Sequence, residues 1–407
     1  MRITYLHQYF NTPEMIGGTR SYEMARRLVA RGHEINMVTS WREDDGRKEW
    51  FETEEGGMRV HWLPVPYANS KGYGERIGAF FRFAWSAASR AAALPADVIF
   101  ATSTPLTIAL PGAYAAWRKN LPMVFEVRDL WPELPIAVGA LSNPLLQKAA
   151  AALERFAYAR SERIVALSPG MKDGVVRAGY PAEKVSVLPN SADLELFDPE
   201  RADDKHFRRK HPEIGEAPLI VYAGTLGKIN GVDYLPGIAA ASKAQGLGLQ
   251  FAVVGNRGGA EKKVRETARM LKVLGDNFHL YPSVPKREMP NILAAADVAL
   301  SLFVDLVPMW ANSANKFFDA LASGTPVAIN YGGWQAELLE ETGAGIVLPP
   351  DDADEAARRL GALVADKNQL HDTGRAARKL AEERFSRDKL ALELEQVLLA
   401  AVQGTKK

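Results

Sequence analysis

The chain of 407 residues contains no cysteine, which removes disulfides, thiolate nucleophiles and thiolate-bound metal. Its histidines are scattered and none form an H-x-x-x-H pair, so no zinc site is expected. No run of 18 apolar residues occurs, and nothing reads as a membrane-spanning helix. Charge of one sign is also missing. Lys and Arg total 50 against 49 Asp and Glu, a net of +1, so no overall field draws in nucleic acid. The N-terminus enters an apolar run at once, and no leader peptide is expected. These absences fit a cytoplasmic, reducing location. Internal repeats and low-complexity segments are lacking too.

What is present is an ordinary globular composition, 47% hydrophobic and 24% charged. The length exceeds one ordinary core and predicts two or three domains. Short apolar runs alternate with helical patterns throughout. Strands are predicted at 3–6, 35–39, 59–63, 98–101, 123–127, 164–166 and 185–188, then at 219–223, 250–254, 278–280, 298–301, 327–329 and 346–348. Runs this apolar suit parallel strands covered by helices on both faces. The β-α-β-α order occurs twice, with a break near 189–218 that holds Asn190, Asp198-Pro199 and a charged patch. The expected fold is α/β, with two doubly wound Rossmann-like domains facing across a cleft near Asn190 and Arg128. The first domain spans 1–190, a linker 191–217 and the second domain 218–386. An amphipathic helix at 387–402, carrying Leu390, Leu392, Leu394, Val397 and Leu398, is expected to return to the first domain.

The richest segment is N-S-A-N-K-F-F-D-A-L-A-S-G at 312–324. A loop of small residues (Asn312, Ser313, Ala314, Asn315) opens a helix whose first amides suit phosphate oxygens. Lys316 adds a full positive charge, and Asp319 lies one turn further on the same side. There Asp319 could accept bonds from two sugar hydroxyls. The same residues also fit an ordinary capped helix with a surface lysine. Gly17 and Gly18 precede a helix near 19–31 that ends at Gly32, and they allow close approach of a ligand to the backbone. The strand 123–127 delivers Arg128 and Asp129 to its carboxyl end, where they could bind or simply pair. Lys228 follows Y-A-G-T-L-G, and Arg257 follows Gly255. Each loop suits a diphosphate or plain solvent. In the helix pattern at 72–93, Ile77, Phe81, Ala84 and Ala88 share one side. Phe83 falls opposite, in line with Arg76 and Arg90, which suits either a lipid headgroup surface or a core helix with one stray aromatic.

Taken in order, several segments carry a family resemblance. They are Y-L-H-Q-Y-F-N-T-P, G-G-T-R-S-Y-E-M-A-R-R-L, F-E-V-R-D-L-W-P-E, L-P-N-S-A-D-L-E-L-F, Y-A-G-T-L-G-K-I-N-G and N-K-F-F-D-A-L-A-S-G-T-P-V. Over nearly its whole length the chain resembles the retaining GT-B glycosyltransferases of family 4. It is most similar to the branch holding the N-acetylfucosamine transferases of bacterial O-antigen and capsule assembly. The resemblance implies transfer of a sugar from a nucleotide diphosphate donor, with retention and without a metal or other cofactor. It implies front-face attack assisted by the leaving phosphate. It maps the family's glycine loop on Gly17 and Gly18, its ribose carboxylate on Asp319 and its diphosphate loop on Asn312 to Asn315. A lipid-linked or saccharide acceptor, and a peripheral position on the inner membrane through 72–93, go with that branch.

Several positions depart from the family pattern. Ala311 stands where a glutamate is usual, Thr225 and Asn230 stand where an arginine and a lysine are usual, and Arg128 replaces a histidine. Lys228, Arg257 and Lys316 are the candidate substitutes. The expected catalytic residues are Lys316, Arg128 and Asp129. The expected donor-binding residues are Gly17, Gly18, Lys228, Arg257, Asn312, Ser313, Ala314, Asn315 and Asp319. A silent GT-B protein that binds a nucleotide-sugar or a partner, and a nucleotide-sugar epimerase, are the alternatives.

Overall fold

A computed structural model describes all residues except 16, 66–72, 192, 256–258 and 405–407, and only the backbone of 73–77. The chain divides into two units. One comprises Met1–Pro189 with Asp388–Lys407, and the other Asn190–Arg387. Each is a Rossmann-like α/β domain built on one sheet.

The first sheet holds β1 (Arg2–Leu6), β2 (Glu34–Trp41), β3 (Phe51–Glu55), β4 (Met58–Pro64), β5 (Val98–Thr102), β6 (Met123–Val127), β7 (Arg163–Ala166) and β8 (Val185–Val187). Their spatial order is β3-β4-β2-β1-β5-β6-β7-β8. All pairs are parallel except β3 with β4. Strand order reverses between β1 and β5, the place where such sheets open a ligand crevice at the strands' carboxyl ends. The edge strand β3 was not expected from sequence. Its F-E-T-E-E reading is acidic and only half-buried, as an edge strand can be when one face meets water.

Helix Arg20–Ala30 buries Met24, Ala25 and Leu28, and the chain leaves it through Gly32 at φ 85°. The helix Arg387–Gly404 shares that core through Leu390, Leu394, Val397, Leu398 and Ala401, packed with Ile3, Tyr5, Met24 and Leu28. Two ion pairs and a hydrogen bond pin it there: Arg27 to Asp388 at 2.5 Å, Arg31 to Glu395 at 2.7 Å, and the His33 ring to Glu395 at 2.6 Å. Leu392, expected on the packed side, is instead exposed. Neighbours at two-residue spacing cannot all share one helical face.

Helix Tyr73–Ala93 is rotated relative to its sequence reading. Phe83 is fully buried with Ala84, Ala87 and Ala91, while Phe81 and Trp85 face outward. A Phe83 headgroup stripe is therefore excluded. The small side chains let this helix lie close against helix Ala109–Lys119, and that packing sets the buried face. The side chain of Arg76 lies outside the described residues.

The second sheet holds β9 (Leu219–Ala223), β10 (Gln250–Gly255), β11 (Phe278–Pro282), β12 (Val298–Ser301), β13 (Val327–Ile329) and β14 (Gly345–Val347). The order β11-β10-β9-β12-β13-β14 is wholly parallel and reverses between β9 and β12. The segment 191–217, read from sequence as a linker, belongs to this unit. Its Phe207 and Ile214 are buried against Leu219, Val221, Ala252 and Val254. Charge around these two apolar anchors masked them in the sequence.

Candidate functional site

In the second unit, helix Asn315–Ala322 starts beside the point where strand order reverses. Lys316 reaches between two rings supplied by the neighbouring strands. Its ammonium lies 4.8 Å from the ring centroids of both Tyr222, on β9, and Phe303, just after β12. It also donates to the Tyr222 hydroxyl at 3.2 Å. Burial lowers the Lys316 pKa to about 7. The ring faces favour the charged form and act against that shift. Burial raises the Tyr222 phenol, so this neighbour stays neutral and supplies no counter-charge. The ammonium is thus a cation without a described carboxylate partner.

The loop before the helix is rigidly held. Asn312 and Ser313 are buried. The Ser313 hydroxyl accepts from the Asn190 backbone N–H at 2.9 Å, and the Asn190 side chain donates to the Ser313 carbonyl. Trp334 Nε1 donates to the Asn312 carbonyl at 2.9 Å. The Ala314 amide donates to Asn312 Oδ1 at 3.3 Å, so that amide is already engaged. No side chain caps the helix, which leaves the positive end of its dipole to an anion.

Asp319 follows one turn later and is buried. One carboxylate oxygen accepts from Lys286, whose ammonium sits 4.8 Å over the Phe197 ring. The other, Oδ1, has no partner. Asp319 and Lys316 line one cavity of about 40 Å³, room for a single water or hydroxyl. A buried acceptor with one open oxygen is an unfilled hydrogen-bonding position. Lys286 went unnoticed in the sequence because its partner is 33 positions away.

The remaining loops lie at the ends of β9 and β10. Lys228 is exposed beyond Gly224 and Gly227, where the Asn230 side chain accepts from the Gly227 amide at 3.3 Å. A Cβ on Gly255 would meet the Gly224 carbonyl at 2.1 Å, so the two loops touch only because that residue is glycine. Arg257 lies outside the described residues.

In the first unit the polar groups gather at the carboxyl ends of β1, β5 and β6. Arg128 donates to His7 Nε2 at 3.2 Å. Burial, with Arg128 and Arg42 nearby, holds His7 well below the usual imidazole range, so the ring is neutral. Its proton therefore sits on Nδ1, which is buried and unpartnered, as are both amide atoms of Gln8. Asp129 accepts from the Thr104 hydroxyl at 3.0 Å. Burial raises the Asp129 pKa, against the opposing effects of that bond and of Arg128. Gly17 and Gly18 are exposed in the loop after β1, where Asn11 Nδ2 donates to the Gly18 carbonyl at 3.2 Å. Gly17 has φ 141°, and a Cβ there would meet Asn11 at 2.6 Å. The loop is thus held in a shape that needs glycine.

Arg20, at the start of the following helix, is a further residue the sequence did not single out. Its guanidinium donates to Glu126 Oε1 at 3.0 and 3.1 Å, and to the carbonyls of Leu188 and Pro189 at 2.9 and 2.6 Å. Burial favours the neutral acid at Glu126, but Arg20, Arg128 and the Thr102 hydroxyl outweigh it and hold the pKa below the usual carboxylate range.

The comparisons agree with this architecture. Residues 17–191 match the "Glycosyl transferase 4-like domain" and residues 203–380 match "Glycosyl transferases group 1". A D-inositol 3-phosphate glycosyltransferase of Xylanimonas cellulosilytica is 27% identical over 72% of this chain and 69% of its own. A putative colanic acid biosynthesis glycosyl transferase, WcaI, of Escherichia coli is 22% identical over 71% of this chain and 74% of its own. The structure of Anabaena Alr3699/HepE in complex with UDP and glucose superposes with a TM-score of 0.71 at 16% identity, covering 98% of this chain and 100% of that one. With a glycosyltransferase domain matched over each half and the two sheets that such enzymes share, the chain belongs to the GT-B glycosyltransferases of family 4.

Proposed function

We propose that the protein is a retaining glycosyltransferase that moves a sugar, an N-acetylated or deoxy hexose, from a UDP-sugar to a lipid-linked or saccharide acceptor. Its place is surface polysaccharide synthesis, in the cytoplasm and at the inner face of the membrane that carries the acceptor. The observation that carries this reading is the pairing of Lys316 with Asp319 on one helix. One offers a cation beside an uncapped helix start, and the other an open carboxylate oxygen. A diphosphate next to a ribose diol matches both. The UDP bound to the Anabaena protein and the putative colanic acid biosynthesis role of the Escherichia coli relative support the donor and the setting.

The leaving nucleotide diphosphate gains negative charge as the glycosidic bond breaks. Fixed donors aimed at that charge lower the barrier. In this reading Lys316 and the amides at the start of its helix serve that end without a metal. Asp319 binds the ribose, and Lys286 keeps its carboxylate oriented. In the first unit Arg128, Asp129, His7 and Gln8 are groups for acceptor hydroxyls. Retention follows front-face attack in which the leaving phosphate takes the acceptor proton. Ala311, in place of the family's glutamate, favours the second reading of a silent binder. Release of UDP from a UDP-sugar separates the two.

Asp319→Ala is expected to weaken UDP binding by about tenfold or more, since a hydrogen bond to a charged group is worth about 1.5–3 kcal/mol. It should act on KM far more than on kcat, because the ribose is held equally in ground and transition states. Calorimetry checks the affinity; unchanged binding in a folded variant removes Asp319 from the site.

Lys316 also sets a pH dependence. With its pKa lowered to about 7, its amine is largely neutral in the free protein above that pH. A bound diphosphate favours the ammonium, so binding at about pH 8 should take up close to one proton, and UDP affinity should fall as pH rises above about 7. Titration in buffers of different ionisation enthalpy measures this uptake. It should vanish in Lys316→Met. Equal uptake in both proteins places the titrating group elsewhere.

A further inference from the structure

The two rings beside Lys316 are fixed by contacts that the sugar-transfer reading leaves unused. Both Tyr222 and Phe303 are buried. The Tyr222 hydroxyl donates to the Thr225 carbonyl at 2.9 Å, so its proton is committed. Its oxygen then meets the Lys316 nitrogen, 3.2 Å away, only as an acceptor. Such an oxygen bonds an ammonium more strongly than a neutral amine, because a charged donor makes the stronger hydrogen bond. Thr225, whose side chain departs from the family pattern, acts here through its backbone.

Phe303 is held by three other segments. The Asn330 side chain, just after β13, accepts from the Phe303 amide at 3.0 Å and donates to the Phe303 carbonyl at 2.9 Å. Gly231 lies against the same carbonyl, and a Cβ there would meet it at 2.6 Å. The Phe303 ring packs edge-on against Tyr331 at 5.3 Å, and the Tyr331 hydroxyl is engaged by Gln335 at 2.6 Å. Apart from Asp319, the cavity at Lys316 is walled by apolar side chains of β9, β12 and helix Met289–Ala294. Asp319 is the only other ionisable group in that wall, and Lys286 engages it.

We propose that Tyr222 and Phe303 are positioning residues, which keep the Lys316 ammonium charged and fixed at the donor diphosphate. This rests on the transfer reading and names the residues through which its lysine is held ready. Burial brings Lys316 close to losing its proton at neutral pH, so modest favourable contacts decide its charge. The acceptor oxygen of Tyr222 and the faces of both rings all favour the ammonium. Removing either contact lowers the lysine further. The cost to donor binding then falls at high pH, where the amine is neutral, and disappears at low pH, where it is charged in either protein.

The experiment is calorimetric titration of the full chain with UDP at two pH values. Tyr222→Phe keeps the buried ring and loses only the hydroxyl. It should bind UDP about fivefold to tenfold more weakly than wild type at about pH 8 and equally well at about pH 5.5, the result of lowering the lysine by about one pKa unit. Phe303→Leu should change affinity in the same direction, and Tyr222→Phe decides the matter if that variant does not fold. In a Lys316→Met background neither change should alter UDP affinity, because the group through which both act is gone. An equal loss at both pH values would make Tyr222 a merely structural residue and overturn the proposal. So would a loss that persists in Lys316→Met, or wild-type affinity of Tyr222→Phe at about pH 8. Wild-type UDP affinity of Lys316→Met at both pH values would instead remove the lysine from the diphosphate, and the proposal would fall together with that part of the transfer reading.

Discussion

Lys316→Ala is expected to lower kcat by about 100-fold or more, with a smaller change in donor affinity. The ammonium lies at the point where strand order reverses, between the rings of Tyr222 and Phe303, with no described carboxylate to neutralise it. Its charge is then available to the leaving diphosphate, and its effect is greatest when that charge is greatest. Lys316→Arg is not a conservative rescue. The planar guanidinium is wider than the ammonium, and the slot between two rings fixes where the charge can sit. Steady-state kinetics with the cognate donor and acceptor decide the matter. A kcat within a few-fold of wild type, in a folded Lys316→Ala protein, removes Lys316 from the leaving-group site.

The second large effect concerns stability. Arg20→Met is expected to destabilise the first unit by about 3–5 kcal/mol, the usual cost of removing one partner from a buried ion pair. Both side chains of the Arg20–Glu126 pair are almost wholly buried, and the same guanidinium satisfies the carbonyls of Leu188 and Pro189. Its loss strands one carboxylate and two carbonyls away from water. Arg20→Met with Glu126→Leu should recover part of the loss, because the stranded charge goes while the two carbonyls stay unpaired. Urea unfolding followed by hydrogen exchange at β1 and β6 reads this unit separately from the other. A loss under about 1 kcal/mol for the single variant would mean that water reaches Glu126 and satisfies it.

The parallel strands were legible because burial on both faces makes them nearly continuous apolar runs. β6, β9, β12 and β13 have the bounds their composition implies. β3 was not legible, since an edge strand can carry glutamates on its open face. The helix Tyr73–Ala93 was legible as a helix but not in its orientation. So many alanines leave the apolar stripe poorly defined, and contact with Ala109–Lys119 decides it. In the candidate site, spacing alone placed Lys316 and Asp319 on one helix face. Their surroundings were hidden. The rings of Tyr222 and Phe303 and the ammonium of Lys286 come from distant segments, brought close only by the sheet order. Arg20 and His7 were hidden for the same reason, since each acquires meaning from a partner more than 100 positions away.

The most direct test of the account is release of UDP by the purified protein from a panel of UDP-, GDP- and dTDP-sugars without acceptor. Slow hydrolysis of a UDP-sugar, lost in Lys316→Ala and recovered by no GDP- or dTDP-sugar, is the predicted result. Tight UDP binding with no release from any donor would make the protein a silent binder, and release from a GDP- or dTDP-sugar alone would contradict the assigned nucleotide.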